Sequence, residues 1–239
     1  PMIEIQRTND PTARAVFSAG ATFAELALEL GLNAREGARW ASCETLDLAS
    51  LESDEPLTRE TTFEIPNVVF LAWFGEWGRL GKKYMRWASN AIRLRRLGYD
   101  VVSFDNDRYQ PDKPELAKLD FFERLERCSR EKALYALYMM GHGSQNSIGS
   151  LNPRFFWNRT SGPQWQIFYR NPKRLDDAFS DELAVQDALA YQLGALVVQA
   201  CESENPNARE LASSDGRFWG AAGVYVPRPI DLGRVISRS

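Results

Sequence analysis

Tyr135-Ala136-Leu137-Tyr138-Met139-Met140-Gly141-His142-Gly143-Ser144 and Ala195-Leu196-Val197-Val198-Gln199-Ala200-Cys201-Glu202-Ser203 are the two stretches on which the fold of this chain turns. Each is an apolar run of strand length that ends at a reactive side chain beside a small residue. Apolar runs bounded by turn residues fit buried strands of a parallel sheet. In such sheets chemistry gathers at the carboxyl ends of the strands. If the two runs are neighbouring parallel strands, His142 and Cys201 emerge at the same edge, as a nucleophile and its general base. His142 is the only histidine of the chain. Taken singly, a cysteine after an apolar strand is commonly a buried small hydrophobe, and a His-Gly pair commonly a turn. Their joint position at two strand ends points to catalysis.

Working outward, residues 68–74 form a continuous apolar strand. The spacing of Leu80, Tyr84, Trp87, Ala88, Ala91 and Leu94 predicts one helix over 80–97, stopped by Gly98. A strand over 99–104 follows, then a helix from Pro114 to about Cys128. The expected parallel strands are therefore 68–74, 99–104, 135–140 and 195–200, in an α/β fold with right-handed crossovers. Phe155-Phe156-Trp157 and Trp165-Gln166-Ile167-Phe168-Tyr169 flank a Ser-Gly-Pro turn. They predict an aromatic hairpin that lines a substrate groove or covers a sheet edge. Asn158-Arg159-Thr160 matches a glycosylation sequon. A helix over 181–193, ended by Gly194, leads into the Cys201 strand. A short helix over 208–213 and a last strand over 223–226 complete the pattern.

Residues 1–62 read as a separate small module and 63–239 as the main domain. In the module, a strand near 14–18 precedes a helix opened by Thr22-Phe23-Ala24-Glu25, a capping-box pattern. A second short helix spans 34–42, and 61–65 is a closing strand before Pro66. This strand–helix–helix–strand order, with Thr22 to Ala27 and Ile65-Pro66, resembles a LysM module. The resemblance implies glycan binding; a structural cap on the main domain is the alternative.

Gln199-Ala200-Cys201 matches the start of the caspase signature, a Gln-Ala-Cys nucleophile with the histidine about 50 residues upstream; here the separation is 59 (201 − 142). Glu202 departs from it, where caspases carry Arg, Gln or Gly. Ala200-Cys201-Glu202-Ser203 and His142-Gly143-Ser144 also resemble legumain. The chain thus resembles the caspase-like cysteine peptidases (caspase, legumain and CHAT-type) over about residues 66–227, specifically at His142 and Cys201. The layout fits that fold as well, a three-layer sandwich with the histidine after the third strand and the cysteine after the fourth.

What the resemblance implies is a cysteine endopeptidase working through a Cys-His dyad and an acyl-enzyme. Its oxyanion hole would be the backbone N–H groups of Gly143 and Cys201. Gln199 would line the pocket for the residue before the cut, and Ser144 would stand beside the histidine on the substrate side. Caspases hold a substrate Asp with an Arg after the first strand, whereas this chain has Trp73-Phe74-Gly75-Glu76. Glu76, Asp105 and Asp107 would together make an acidic pocket for Arg or Lys, unless all three are solvated loop acids. No cofactor and no metal are expected. The implied setting is bacterial protein processing, a toxin or a defence protein.

Bulk properties limit the alternatives. An apolar content of 44% supports a sizeable core, and a net charge of −3 gives no basic footprint for nucleic acid. No apolar run reaches the ~18 residues of a membrane span, and no signal peptide is expected at the start. Three cysteines, Cys43, Cys128 and Cys201, make a poor disulfide framework and suit a reducing, cytoplasmic compartment; secretion as part of a larger protein is the alternative. The expected partner is a protein or peptide substrate. Two other functions compete. Asp105-Asn106-Asp107 is an Asp-x-Asp motif after a strand, as in metal-dependent glycosyltransferases, but that reading leaves Cys201 and His142 unexplained. The other is a non-catalytic binding module on a caspase-like scaffold.

Overall fold

The structure, a computed structural model, describes residues 3–6, 11–20, 22, 60–75, 78–109, 114–130, 132–144, 147–149, 154–158 and 184–237. It opens with an antiparallel sheet of β1 (Ile3–Gln6), β2 (Thr12–Phe17) and β3 (Thr61–Pro66), in the order β1-β2-β3. The alternation in β2 buries Ala13 and Ala15 and exposes Arg14 between them, the period of a half-buried strand. The strands expected near 14–18 and 61–65 are thus present and paired, and β1 is an addition. The helix expected to open at Thr22 and the one over 34–42 lie outside the described residues, apart from Thr22 itself. The boundary drawn between 62 and 63 falls inside β3. Only Asn67 separates β3 from the next strand, and its N–H donates to the Pro11 carbonyl at 2.7 Å.

The central sheet contains β4 (Val68–Phe74), β5 (Asp100–Asp105), β6 (Leu134–Gly141), β9 (Leu193–Gln199) and β10 (Ala212–Trp219). Its order is β10-β9-β6-β4-β5, with every neighbouring pair parallel. All seven residues of β4 are buried, as a strand covered on both faces requires. One face packs Phe70, Phe74, Leu137, Met139, Leu196 and Val198 with helix α3 (Pro114–Arg130). The other packs Val69, Leu71, Trp73, Tyr138, Met140 and Val197 with α2 (Trp87–Arg96) and α5 (Leu232–Ile236). The fold is therefore α/β around a five-stranded parallel sheet, with a hydrophobic core on each face.

Several elements differ from expectation. The single helix over 80–97 is two, α1 (Gly78–Tyr84) and α2, broken at Arg86, whose φ of 56° is left-handed. The break turns Trp87 onto the sheet, 5.6 Å from Trp73 and 5.8 Å from Tyr138 between ring centroids. It leaves Leu80 and Tyr84 exposed, although the helical spacing had placed them on the apolar face.

Before β9 the chain forms only a short 3-10 helix, Val185–Ala188, within the described residues. Gly194 is not a helix stop but lies in β9. A β-carbon there would stand 2.1 Å from the Tyr135 ring, so glycine serves cross-strand packing against an aromatic side chain.

The last strand is Ala212–Trp219, not 223–226, and the short helix is α4 (Pro206–Arg209). The missed strand is polar through Ser213, Ser214 and Asp215, and a register shift separates Ala212 from Arg217; an edge strand needs no apolar run.

Of the expected aromatic hairpin only the first arm lies within the described residues. β8 (Arg154–Phe156) pairs with β7 (Ser147–Gly149), while 165–169 lies outside the described residues. Phe155 and Trp157 are fully buried. Phe155 packs on Phe74 at 4.8 Å and Phe121 at 4.6 Å. These aromatics fill the core beneath α3 and do not line a groove. Asn158 is buried as well, with its amide donating to Glu210 at 3.0 Å, so it offers no surface for a glycan.

Candidate functional site

The two stretches first singled out are adjacent parallel strands. β6 and β9 pair from Ala136 with Ala195 to Met140 with Gln199. That last pair is offset by 59 residues (199 − 140), the separation of His142 from Cys201. Both therefore leave the sheet at one level, at the carboxyl edge. His142 is exposed and Cys201 half-buried. Gly143 follows the histidine and lies against the cysteine: a β-carbon on it would be 2.7 Å from the Cys201 carbonyl oxygen and 3.4 Å from the Cys201 nitrogen. Only glycine admits so close a backbone approach.

The turn that presents Cys201 is tightly made. Glu202 adopts a left-handed φ of 52°, a conformation that costs a side-chain-bearing residue about 1–2 kcal/mol. Ser203 offsets it. Fully buried, its hydroxyl lies 3.1 Å from the Val198 carbonyl and 2.9 Å from the Ala200 carbonyl, and accepts the Ala221 N–H at 3.0 Å. Asn205 caps α4 by accepting the Ala208 N–H at 2.9 Å and donates to the Glu202 carbonyl at 2.8 Å. Strain held by surrounding bonds is common where a side chain is presented for chemistry.

Beyond β10, residues 220–230 return as a strap across this turn. Glu202 N–H donates to the Gly223 carbonyl at 2.9 Å and Glu204 N–H to the Ala221 carbonyl at 3.0 Å. Gly220 packs so closely that a β-carbon would meet the Glu204 nitrogen at 2.7 Å. The Tyr225 N–H donates to the Cys201 sulfur at 3.3 Å. At its far end the strap is fixed by α2. The Asn90 amide donates to the Ile230 carbonyl at 3.1 Å and accepts the Leu232 N–H at 3.0 Å, and Arg93 pairs with Asp231 at 2.8 Å. Neither the strap nor its anchors were legible in the sequence, where 223–226 resembled a strand.

The remaining expected site residues divide. Ser144 stays beside His142. Its N–H donates to the Ser147 carbonyl at 2.9 Å and its hydroxyl lies 3.1 Å from that of Ser147, which ties the histidine loop to β7. Gln199 does not face a pocket. It is fully buried, accepting from the Tyr138 hydroxyl and donating to the Tyr225 hydroxyl and, at 2.9 Å, to the Arg228 carbonyl.

Asp105 and Asp107 are not an open acidic pocket. The Lys82 ammonium from α1 lies 2.6 Å from Asp105 and 2.7 Å from Asp107, above the Trp73 ring. An ammonium already occupies the position between the two carboxylates that the Asp-x-Asp reading assigns to a metal. Glu76 lies outside the described residues, as does Cys43. Cys128 is buried in α3. Among the described residues no helix is long and apolar enough to cross a membrane. Comparison of the chain with family models, with curated proteins and with solved structures returns no match.

Proposed function

We propose that this chain is a cysteine peptidase of caspase-like architecture, with Cys201 as nucleophile and His142 as acid and base. The observation that carries the reading is the parallel register of β6 on β9, which brings both residues to one level of the carboxyl edge. The thiolate is the reactive form of cysteine. The Cys201 thiol passes its proton to His142 and the thiolate adds to a peptide carbonyl, whose oxyanion takes hydrogen bonds from the Gly143 and Cys201 N–H groups. His142 gives a proton to the leaving amine as the C–N bond breaks, leaving a thioester. It then takes a proton from water, whose oxygen displaces the thiolate. The pairing of Asp105 and Asp107 with Lys82 removes charge from the suggested basic-residue pocket, so no side-chain preference is assigned.

The test is a mixed peptide library with the wild-type chain, Cys201→Ala and His142→Ala. Cleavage should be lost in both variants while the thermal transition is retained, since removing one small side chain at a strand end costs little packing. Cleavage that survives in Cys201→Ala would end the proposal. Peptide binding without cleavage in the wild type would favour a binding module instead.

A further inference from the structure

The Tyr225 N–H reaches the Cys201 sulfur from a stretch of the strap that has no strand partner of its own. Besides the Glu202–Gly223 bond and the Trp219 ring, 5.8 Å from that of Tyr225, it is held by polar contacts of the Tyr225 side chain. The Tyr225 hydroxyl receives the Gln199 amide and, at 3.2 Å, the Arg228 N–H, and donates to the Arg228 carbonyl at 3.3 Å. Gln199 also donates to that carbonyl at 2.9 Å. The direction of the Gln199 amide is set in turn by Tyr138 on β6, whose hydroxyl donates to its oxygen. Burial pushes the Tyr138 phenol well above its ordinary range, with the nearby Tyr225 adding to the rise, so Tyr138 remains a donor. With its oxygen taken, the amide can present only its N–H₂ group to the strap.

We propose that Gln199 is a positioning residue: held by Tyr138, it fixes Tyr225 so that one backbone N–H is aimed at the Cys201 sulfur and stabilises it as the thiolate. The inference rests on Cys201 being the nucleophile proposed above. A hydrogen bond to the charged form of a group favours that form, and bonds to ions are the stronger kind. It also accounts for a fully buried Gln immediately before the Ala-Cys pair, where an apolar residue would satisfy packing. Gln199 never touches substrate in this arrangement; it acts through Tyr225.

The test is the rate of Cys201 alkylation by iodoacetamide, followed by mass spectrometry at pH 7 and pH 10 in the full chain. The titratable groups on elements packed against the turn are His142, Glu202, Glu204, Tyr225 and Arg228. The variants Gln199→Met, Tyr138→Phe and Tyr225→Phe leave these in place apart from the Tyr225 hydroxyl, and Tyr138→Phe also removes the buried Tyr138 phenol behind Gln199. Each should slow alkylation at pH 7, by about tenfold for Gln199→Met, the loss expected for one hydrogen bond to a charged group. Rates at pH 10, where a free thiol is ionised regardless, should match the wild type. Tyr225→Phe keeps the ring and the N–H, so it decides the matter even if Gln199→Met fails to fold.

Unchanged or faster rates at pH 7, or equal slowing at both pH values, would overturn the inference; faster rates would mean that the strap merely shields the sulfur. A His142→Ala arm separates this outcome from the dyad. Slowing in His142→Ala with none in Tyr225→Phe defeats the positioning role alone. The reverse result defeats the dyad and leaves the positioning role standing.

Discussion

Gly143 and Ala200 are in such close contact that a β-carbon on the glycine would stand 2.6 Å from the Ala200 β-carbon. This contact joins the loop after β6 to the end of β9, and no side chain larger than hydrogen fits it. Gly143→Ala should therefore force the two strand ends apart. The expected cost is about 1–3 kcal/mol, as for overpacking elsewhere, with slower alkylation of Cys201. Gly223→Ala is the comparison, since nothing lies within 4 Å of its added carbon; it should change stability by less than about 0.5 kcal/mol. Urea unfolding of the two variants checks both values.

Cys201 should be the thiol that electrophiles reach first among the described cysteines. Cys128 is 2% exposed within the α3 core, whereas Cys201 is half-buried at the sheet edge. Competitive labelling followed by peptide mapping should give modification at Cys201 well before Cys128. Equal rates in the folded protein would contradict the burial of α3.

Lys82 ties α1 to the end of β5. Lys82→Met should leave Asp105 and Asp107 with only the exposed Arg108 guanidinium, 3.7 Å from Asp105, costing about 1–2 kcal/mol, between exposed and buried ion pairs. Much of that loss should be recovered in Lys82→Met with Asp105→Asn, because the pair is coupled. Manganese should leave the Tm of the wild type unchanged, since the ammonium holds the place between the carboxylates. Thermal melts of the single and double variants, with and without the ion, are the measurement.

Alkali should loosen the fold on both sides of the sheet. Burial, and then the hydrogen bond to Asp120, push the Tyr109 phenol up to about 12 from 10. A raised phenol favours the fold fully below its unfolded value of 10, and that contribution disappears as pH rises from 10 through about 12. Tyr138 shifts in the same direction by burial. Stability measured by denaturant should decline over that window, and Tyr109→Phe should flatten the decline.

Phe155→Ala should cost about 3–5 kcal/mol, the loss for a large buried aromatic, because the ring is wedged among Phe74, Phe121 and Phe122. Val224→Ala, at a position 89% exposed on the strap, should cost little. Shifts in the urea midpoint separate the two.

The sheet was legible where a strand is covered on both faces. β4 reads as seven apolar residues, and the runs ending at His142 and Cys201 lie within one or two residues of β6 and β9. β10 was not legible, because an edge strand with a bulge carries polar residues and its Gly216 resembles a turn. The break at Arg86 was missed for the opposite reason: Leu80 and Tyr84 continue the helical period but remain in solvent. At the site, the partnership of the two strand ends could be read from the order of motifs. The Gln199–Tyr225 latch could not, since it joins residues 26 apart through a segment without regular structure. Likewise, nothing in Asp105-Asn106-Asp107 revealed that Lys82, 23 residues earlier, would reach it.

The irregular β10 edge has a further consequence for the life of the protein in a crowded solution. A parallel sheet ends in exposed rows of peptide groups, and a long straight row is a template on which another chain can add. Between Ala212 and Arg217 the register shifts, with exposed Ser214 and Asp215 inside the shifted stretch. On the outer side, a second molecule would meet a bent row interrupted by charge. At the opposite edge, β5 begins and ends with an aspartate, and Lys82 and Arg124 reach its far end and its Ser103 carbonyl. Growth of the sheet from one molecule into the next is thus discouraged at both margins, and the strands that carry His142 and Cys201 stay in the protected interior.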